Sequence, residues 1–240
     1  DFIVNPYFAR LVRNTLLISI YSLVFGFPAP VLLAIMLSEV THAKFKRIVQ
    51  TISYFPHFIS TVVVCGMITQ FCLSDGLFNQ IATTLFGRQP TSFLQEPGLF
   101  RTIYVVSGIW QGVGWGSIIY LAAISQVDTS LYEAAVMDGA NRFQRVILVT
   151  LQCIAPTLIV MFIMKIGHLM NISFEQTMMM FNDMVSPVAD TLDYYAYRIG
   201  IQQGNYSIGT AVGLFKSVIG LVLVLTSNWV IKKSGNEGMF

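Results

Sequence analysis

Charge is what this sequence has least of. Asp, Glu, Lys and Arg make up only 11% of its 240 residues, against 55% hydrophobic. A soluble domain carries roughly a quarter charged residues, so the composition points to a membrane protein. The net charge of +2 is too mild to argue for nucleic acid, and no basic cluster is interleaved with aromatics as such surfaces require. Nucleic acid is therefore dropped as a partner. The three cysteines, Cys65, Cys72 and Cys153, are odd in number and show no CxxC spacing, so they read as small apolar fillers rather than disulfides or metal ligands. His42, His57 and His168 lie far apart, without the paired spacing of a zinc-binding helix, and no metal is expected. No GxxxxGK[ST] loop occurs. The nearest look-alike, at Gly213 to Ser217, lacks a glycine before Lys216 and lies in an apolar run, so no ATP site is expected on this chain. There is no secretory signal pattern, and the first residue is Asp1 rather than Met.

What is present is a series of long apolar runs. A bilayer core takes about 20 apolar residues as helix, and five stretches fit: 14–37, 58–73, 103–124, 153–172 and 208–230. The expectation is an all-α polytopic bundle, a single transmembrane domain over 1–240, with a polar loop at 125–150. The second stretch is short, and a start nearer Ile52 is allowed despite Pro56. Pro28 and Pro30 should bend the first, because proline gives no amide hydrogen and clashes with the preceding turn. In the third, "GIWQGVGWG" sets Gly108, Gly112 and Gly116 in a small-xxx-small pattern, read as close helix packing. The segments 74–102 and 173–207 are expected to be ordered loops with short helices. Within the latter, 190–200 is read as an interfacial helix placing Tyr194, Tyr195 and Tyr197 at headgroup depth.

If the 125–150 loop faces the cytoplasm, so do Lys44, Lys46, Arg47, Arg142, Arg145, Lys232 and Lys233, seven basic residues. Arg10, Arg13, Arg88, Arg101 and Arg198, five, fall outside, in keeping with the positive-inside rule.

That loop is the polar exception in the chain. It reads "LYEAAVMDGANRFQRVILVTLQ" over 131–152. Ser130 with Glu133 forms a capping-box pattern, so a helix should start near Leu131. Ala134 and Ala135 favour helix, and Asp138 and Gly139 supply a stop in which Gly139 can take the left-handed conformation. Asn141 with Gln144 offers a second capping box. The result is helix, glycine turn, helix. Its shallow apolar face (Leu131, Ala134, Ala135, Met137) suits docking into a groove on a soluble partner. The same unit also suits a plain connector in which Glu133 only caps, and the physics alone leaves both readings open.

At these residues the chain resembles a family. "EAAVMDGA", with Glu133, Ala134, Ala135, Asp138 and Gly139, is similar to the EAA loop of permease subunits in binding-protein-dependent ABC importers. The family pattern continues with nine residues and then I-x-L-P. Here Val149 and Leu151 hold the first two positions and Gln152 stands where proline is usual, leaving Pro156 to supply a bend. "FKRIVQTISYFPHFIS", "IWQGVGWGSIIYLAAIS" and "YSIGTAVGLFKSVIGLVL" resemble the oligosaccharide and polysaccharide branch, the LplB-like group, over nearly the whole chain. The resemblance implies the type I ABC importer permease fold, with one further span preceding the five. That extra span would also leave Arg10 and Arg13 outside. It further implies a bacterial cytoplasmic-membrane location, a second permease subunit, two ABC ATPase subunits carrying ATP and Mg, an extracellular solute-binding protein and an oligosaccharide substrate. The insert would then be the coupling helix, seated in an ATPase groove.

Sugars are gripped by aromatic faces and planar polar groups in cavities between spans. Trp110, Gln111, Trp115 and Tyr120 could supply both, although Trp and Tyr are also ordinary interfacial anchors. Asn171 and Glu175 lie at the outer end of the fourth stretch. Lys165 and Lys216 fall inside apolar runs, where a charge costs about 3 kcal/mol. Lys216 is read as lining the pathway for an acidic or heavily hydroxylated glycan. Two rivals remain: a secondary sugar transporter, which would need ion-coupling residues and usually an internal repeat, and an intramembrane hydrolase using Ser117 and His168.

Overall fold

The computed structural model describes residues 6–87, 89–233 and 235, which leaves Arg88 outside the described residues. Every regular element among them is helical. In chain order they are α1 (Phe8–Gly26), α2 (Pro28–Glu39), α3 (Ala43–Tyr54), α4 (Thr61–Cys72), α5 (Leu77–Phe86), α6 (Pro97–Ser125), α7 (Thr129–Met137), α8 (Arg142–Arg145), α9 (Leu151–Gly167), α10 (Phe174–Met180), α11 (Ser186–Ala189), α12 (Leu192–Ala196) and α13 (Tyr206–Lys233). Among the described residues, five helical stretches are long and apolar enough to cross a membrane: Phe8–Glu39, Thr61–Phe86, Pro97–Ser125, Arg142–Gly167 and Tyr206–Lys233.

Proline sets several boundaries. Pro28 cannot donate to the carbonyl four residues back, so α1 ends at Gly26 and α2 restarts with Pro28 in its first turn. Pro97 opens α6 six residues before the apolar run suggested, because its fixed φ suits the first helical position. Around Pro56 the outcome differs from the sequence expectation. The second apolar stretch does not extend back to Ile52 as one helix. Instead α3 ends at Tyr54, a 3₁₀ turn covers Phe55–Phe58, Ile59 is extended, and α4 starts at Thr61. At the other end of the bundle α9 stops at Gly167 rather than continuing to 172.

α6 is the central helix, packing against α1, α2, α3 and α9. Its Gly114 lies flat against the end of α3, where an added Cβ would sit 1.9 Å from the Ser53 carbonyl oxygen. One apolar cluster joins Ile18, Cys65, Phe100, Tyr104 and Met180. A second gathers Leu11, Met170, Leu192, Tyr195 and Val212. The third, at the α7 end, holds Val31, Ala34, Tyr120, Ile124 and Ile154. By contrast α13 buries only Val212, Gly220 and Asn228. Its exposed Leu214, Val218, Leu221, Leu225 and Trp229 form a surface that water would penalise and lipid accepts.

The segment between α9 and α13 is clamped by polar groups. Asp190 is buried and pairs with Arg198 at 3.1 Å and Arg10 at 3.5 Å. Asn14 donates to the carbonyls of Pro187 and Asp190, and Arg101 donates to Asn14 Oδ1 at 2.9 Å. These bonds fold 190–202 down onto α1. Of the three tyrosines expected on an interfacial helix, Tyr195 is buried against protein, while Tyr194 and Tyr197 are half-buried against Phe181 and Phe174.

Candidate functional site

The polar insert folds as a helix, a turn and a second helix, with one correction to its start. α7 begins at Thr129, and its cap is Asp128, whose Oδ1 accepts from the Ser130 amide at 2.9 Å. The Ser130–Glu133 box does not form, since a carboxylate two residues upstream is the stronger acceptor for the first orphan amides. That hydrogen bond also holds the Asp128 carboxyl below the usual carboxylate range. Glu133 is left exposed. Gly139 has φ of +79°, and around it the Gly139 amide donates to Val136 O while the Ala140 amide donates to Ala135 O, a helix stop that a left-handed residue makes possible. Asn141 and Gln144 form the second capping box, with bonds of 2.8 and 2.9 Å. No residue of α7 is buried. Leu131, Ala134 and Met137 are exposed, whereas Ala135 turns inward with Tyr132. Past the insert, the irregularity falls at a π turn, Val146–Thr150, directly ahead of Gln152, and Pro156 stays inside α9.

A second site surrounds the break between α3 and α4. Non-helical backbone at membrane depth is tolerated only where protein or a water-filled cavity covers it. Here the Gln111 side chain donates to the Ile59 carbonyl at 3.0 Å. The His57 ring stacks on Trp115 with centroids 4.6 Å apart and planes 6° from parallel, and Phe58 meets Trp115 edge-on. An open cavity of about 560 Å³ lies here, lined by His57, Ser60, Gln111, Gly112 and Glu175 among others. A more enclosed cavity of about 350 Å³, which shares Gly108 and Gly112 of α6 with the first, is lined by Tyr104, Lys165, His168, Asn171 and Gln176 among others. Gly108, Gly112 and Gly116 all border it. The small-residue pattern thus walls a cavity rather than seating a helix along its length: nothing lies within 4 Å of a Cβ at Gly112, one at Gly108 would meet the Gln176 side chain of α10 at 3.6 Å, and one at Gly116 would come within 3.2 Å of Pro30.

The sequence candidates divide among these places. Gln111, Trp115 and Glu175 meet at the break. Tyr120 and Asn171 border the inner cavity, with Tyr120 buried edge-on to Phe27. Trp110 is exposed on another face of α6. Lys216 lies in a groove between α9 and α13 with His168 and Asn171, and its ammonium is paired with Asp193. Asp193 also accepts from the Ile172 amide. Ser117 and His168 are engaged separately, Ser117 donating to the Gly114 carbonyl and the His168 ring facing the Met164 carbonyl. His57, Gln176 and Asp193 were missed. The available signal for His57 was Pro56 breaking an apolar run, but Asp193 is remote from Lys216 in sequence and gave none.

Comparison with known proteins decides the family. A model described as binding-protein-dependent transport system inner membrane component matches residues 13–234. The chain belongs to this family. It is a multi-pass inner-membrane permease component, not itself the ATPase. The chain is 47% identical to protein LplB of Bacillus subtilis (strain 168), covering 100% of this chain and 76% of the relative. To the polygalacturonan/rhamnogalacturonan transport system permease protein YteP of the same strain it is 42% identical, over 98% of this chain and 74% of the relative. A chain of a bacterial alginate ABC transporter, solved in complex with an alginate pentasaccharide-bound periplasmic protein, superposes with a TM-score of 0.94 at 40% identity, covering 99% of this chain and 83% of that one.

Proposed function

We propose that this permease carries an oligosaccharide across the cytoplasmic membrane as one half of a pathway shared with a second permease subunit, with ATP and Mg bound by two separate ATPase subunits and the glycan delivered by an extracellular binding protein. The observation that carries this reading is α7. A helix bounded by an aspartate cap and a left-handed glycine, burying none of its own residues, keeps an exposed face only if something outside the chain covers it. With the cap made by Asp128, Glu133 is free to meet that partner. Coupling then runs through Glu133, Ala134, Asp138 and Gly139, with Ala135 packing inward.

The pathway residues are Gln111, Trp115 and Glu175 at the helix break, with Tyr120 and Asn171 bordering the inner cavity. An aromatic face beside planar polar groups is the chemistry that grips a sugar ring. The cation offered to an acidic or heavily hydroxylated glycan is Lys165, which borders the inner cavity, since the Lys216 charge is taken by Asp193. Trp110, on another face, serves as an anchor.

Coupling is tested in the assembled complex. Glu133→Ala and Gly139→Ala should leave the permease inserted while uncoupling ATP hydrolysis from uptake or releasing the ATPase. Normal coupling in both would reduce the insert to a connector.

A further inference from the structure

α7 is a lever with little to pull on. None of its residues is buried, it follows α6 through the short turn at 126–128, and it leaves through the left-handed Gly139. A helix hinged at both ends transmits displacement only through a side contact. Ala134 is exposed, and Ala135, although half-buried, offers only a methyl group with no directional bond. Tyr132, half-buried on the inward face, reaches a residue 18 positions further along the chain, and its hydroxyl lies 2.9 Å from Thr150 Oγ1.

Thr150 is itself well placed to pass a displacement on. It is 2% exposed and closes the π turn Val146–Thr150, where the Leu151 amide bonds to Val146 O. Such wide turns interrupt an α-helix mostly at functional positions. One turn further along α9, Ile154 is 1% exposed and packed with Val31 and Ala34 of α2 and with Tyr120 and Ile124 of α6. A shift at Thr150 therefore enters directly the cluster that joins three spans, and close-packed interiors transmit strain rather than absorbing it.

We propose that the Tyr132–Thr150 hydrogen bond is the link by which α7 drives the following span, so that both are positioning residues for coupling. This rests on α7 seating in an ATPase subunit. The bond is a hydroxyl pair, either member donating. What matters is that each side keeps its oxygen, not that the side chains fill space.

The test uses the complex of this chain with its partner permease and ATPase subunits, in nanodiscs and with the exposed Cys153 replaced by serine. ATP is the only ligand added. A disulfide cross-link from Met137→Cys to a cysteine on the ATPase surface reports seating. A spin-label pair at Met67→Cys on α4 and Met164→Cys on α9, both exposed, reports the movement of α9. Thr150→Val, which matches threonine in shape, and Tyr132→Phe should each keep the cross-link and basal ATP hydrolysis but lose more than half of the ATP-driven distance change. Thr150→Ser, which keeps the oxygen and loses a methyl, should retain it, and the double variant should be no worse than either single. If Thr150→Val moves like wild type, or Thr150→Ser is the impaired variant, packing is the role and the link is wrong. Failure of the wild-type cross-link, by contrast, overturns the seating on which the link depends.

Discussion

Gly114→Ala isolates a single methyl group against rigid backbone. The added Cβ would sit 1.9 Å from Ser53 O, 2.3 Å from Ser53 C and 2.8 Å from Tyr54 N, where real Cβ atoms keep at least 3.0 Å. None of those atoms is the end of a flexible side chain, so α6 and α3 must part by about 1 Å. Overpacking of this kind costs about 1–3 kcal/mol, and the upper end applies because α6 is also gripped by α1, α2 and α9. Gly112→Ala, two residues away on the same helix, is the control: nothing lies within 4 Å of its Cβ, and alanine gains up to about 1 kcal/mol of helix propensity over glycine. The assay is the thermal midpoint of the purified complex in detergent, followed by fluorescence-detected gel filtration. Gly114→Ala should fall by several degrees, while Gly112→Ala stays level or rises. Equal midpoints would refute the claim that α6 and α3 touch backbone to backbone.

Two further outcomes follow from charges. Lys216→Met leaves Asp193, 21% exposed, without the ammonium that neutralises it. Removing one partner of a largely buried pair costs about 3 kcal/mol, so the midpoint should drop and Lys216→Met with Asp193→Asn should recover most of it; additive losses in a double-mutant cycle would show the two to be independent. Asp128 concerns pH. Its carboxyl is held below the usual range by the Ser130 amide, so its support of α7 is complete above about pH 4, the ordinary carboxylate value, and is lost as pH falls through the lower folded value. Hydrogen exchange at the Ser130 amide should accelerate only in that acid window, and protection unchanged down to about pH 2 would contradict the cap.

Asp128 also shows how near the sequence came to the insert at α7 and α8. Local chemistry governs helix ends, so Gly139 as a left-handed stop and the Asn141–Gln144 box were legible, as was the family pattern. The start was displaced because two acceptors competed and the carboxylate won. Apolar runs likewise made the helical, membrane-spanning character plain, since burial in lipid is a property of composition. Gln111 and Trp115 were legible as sugar-binding types, but not that Gln111 shares a cavity with His57 or that the His57 ring stacks on Trp115.

What the sequence by itself determined is a polytopic helical membrane protein with a helix, turn and helix insert, because hydrophobic length, caps and glycine stops act within a few residues; the permease reading came from its resemblance to a family. Only the tertiary structure decided that the helix break at Pro56 lies beside Trp115, that Gly114 rather than Gly112 is the close contact, and that Lys216 is paired with Asp193. Each depends on which residues, tens of positions apart, the packing of α6 and α13 brings within a few ångströms, and no local pattern carries that information.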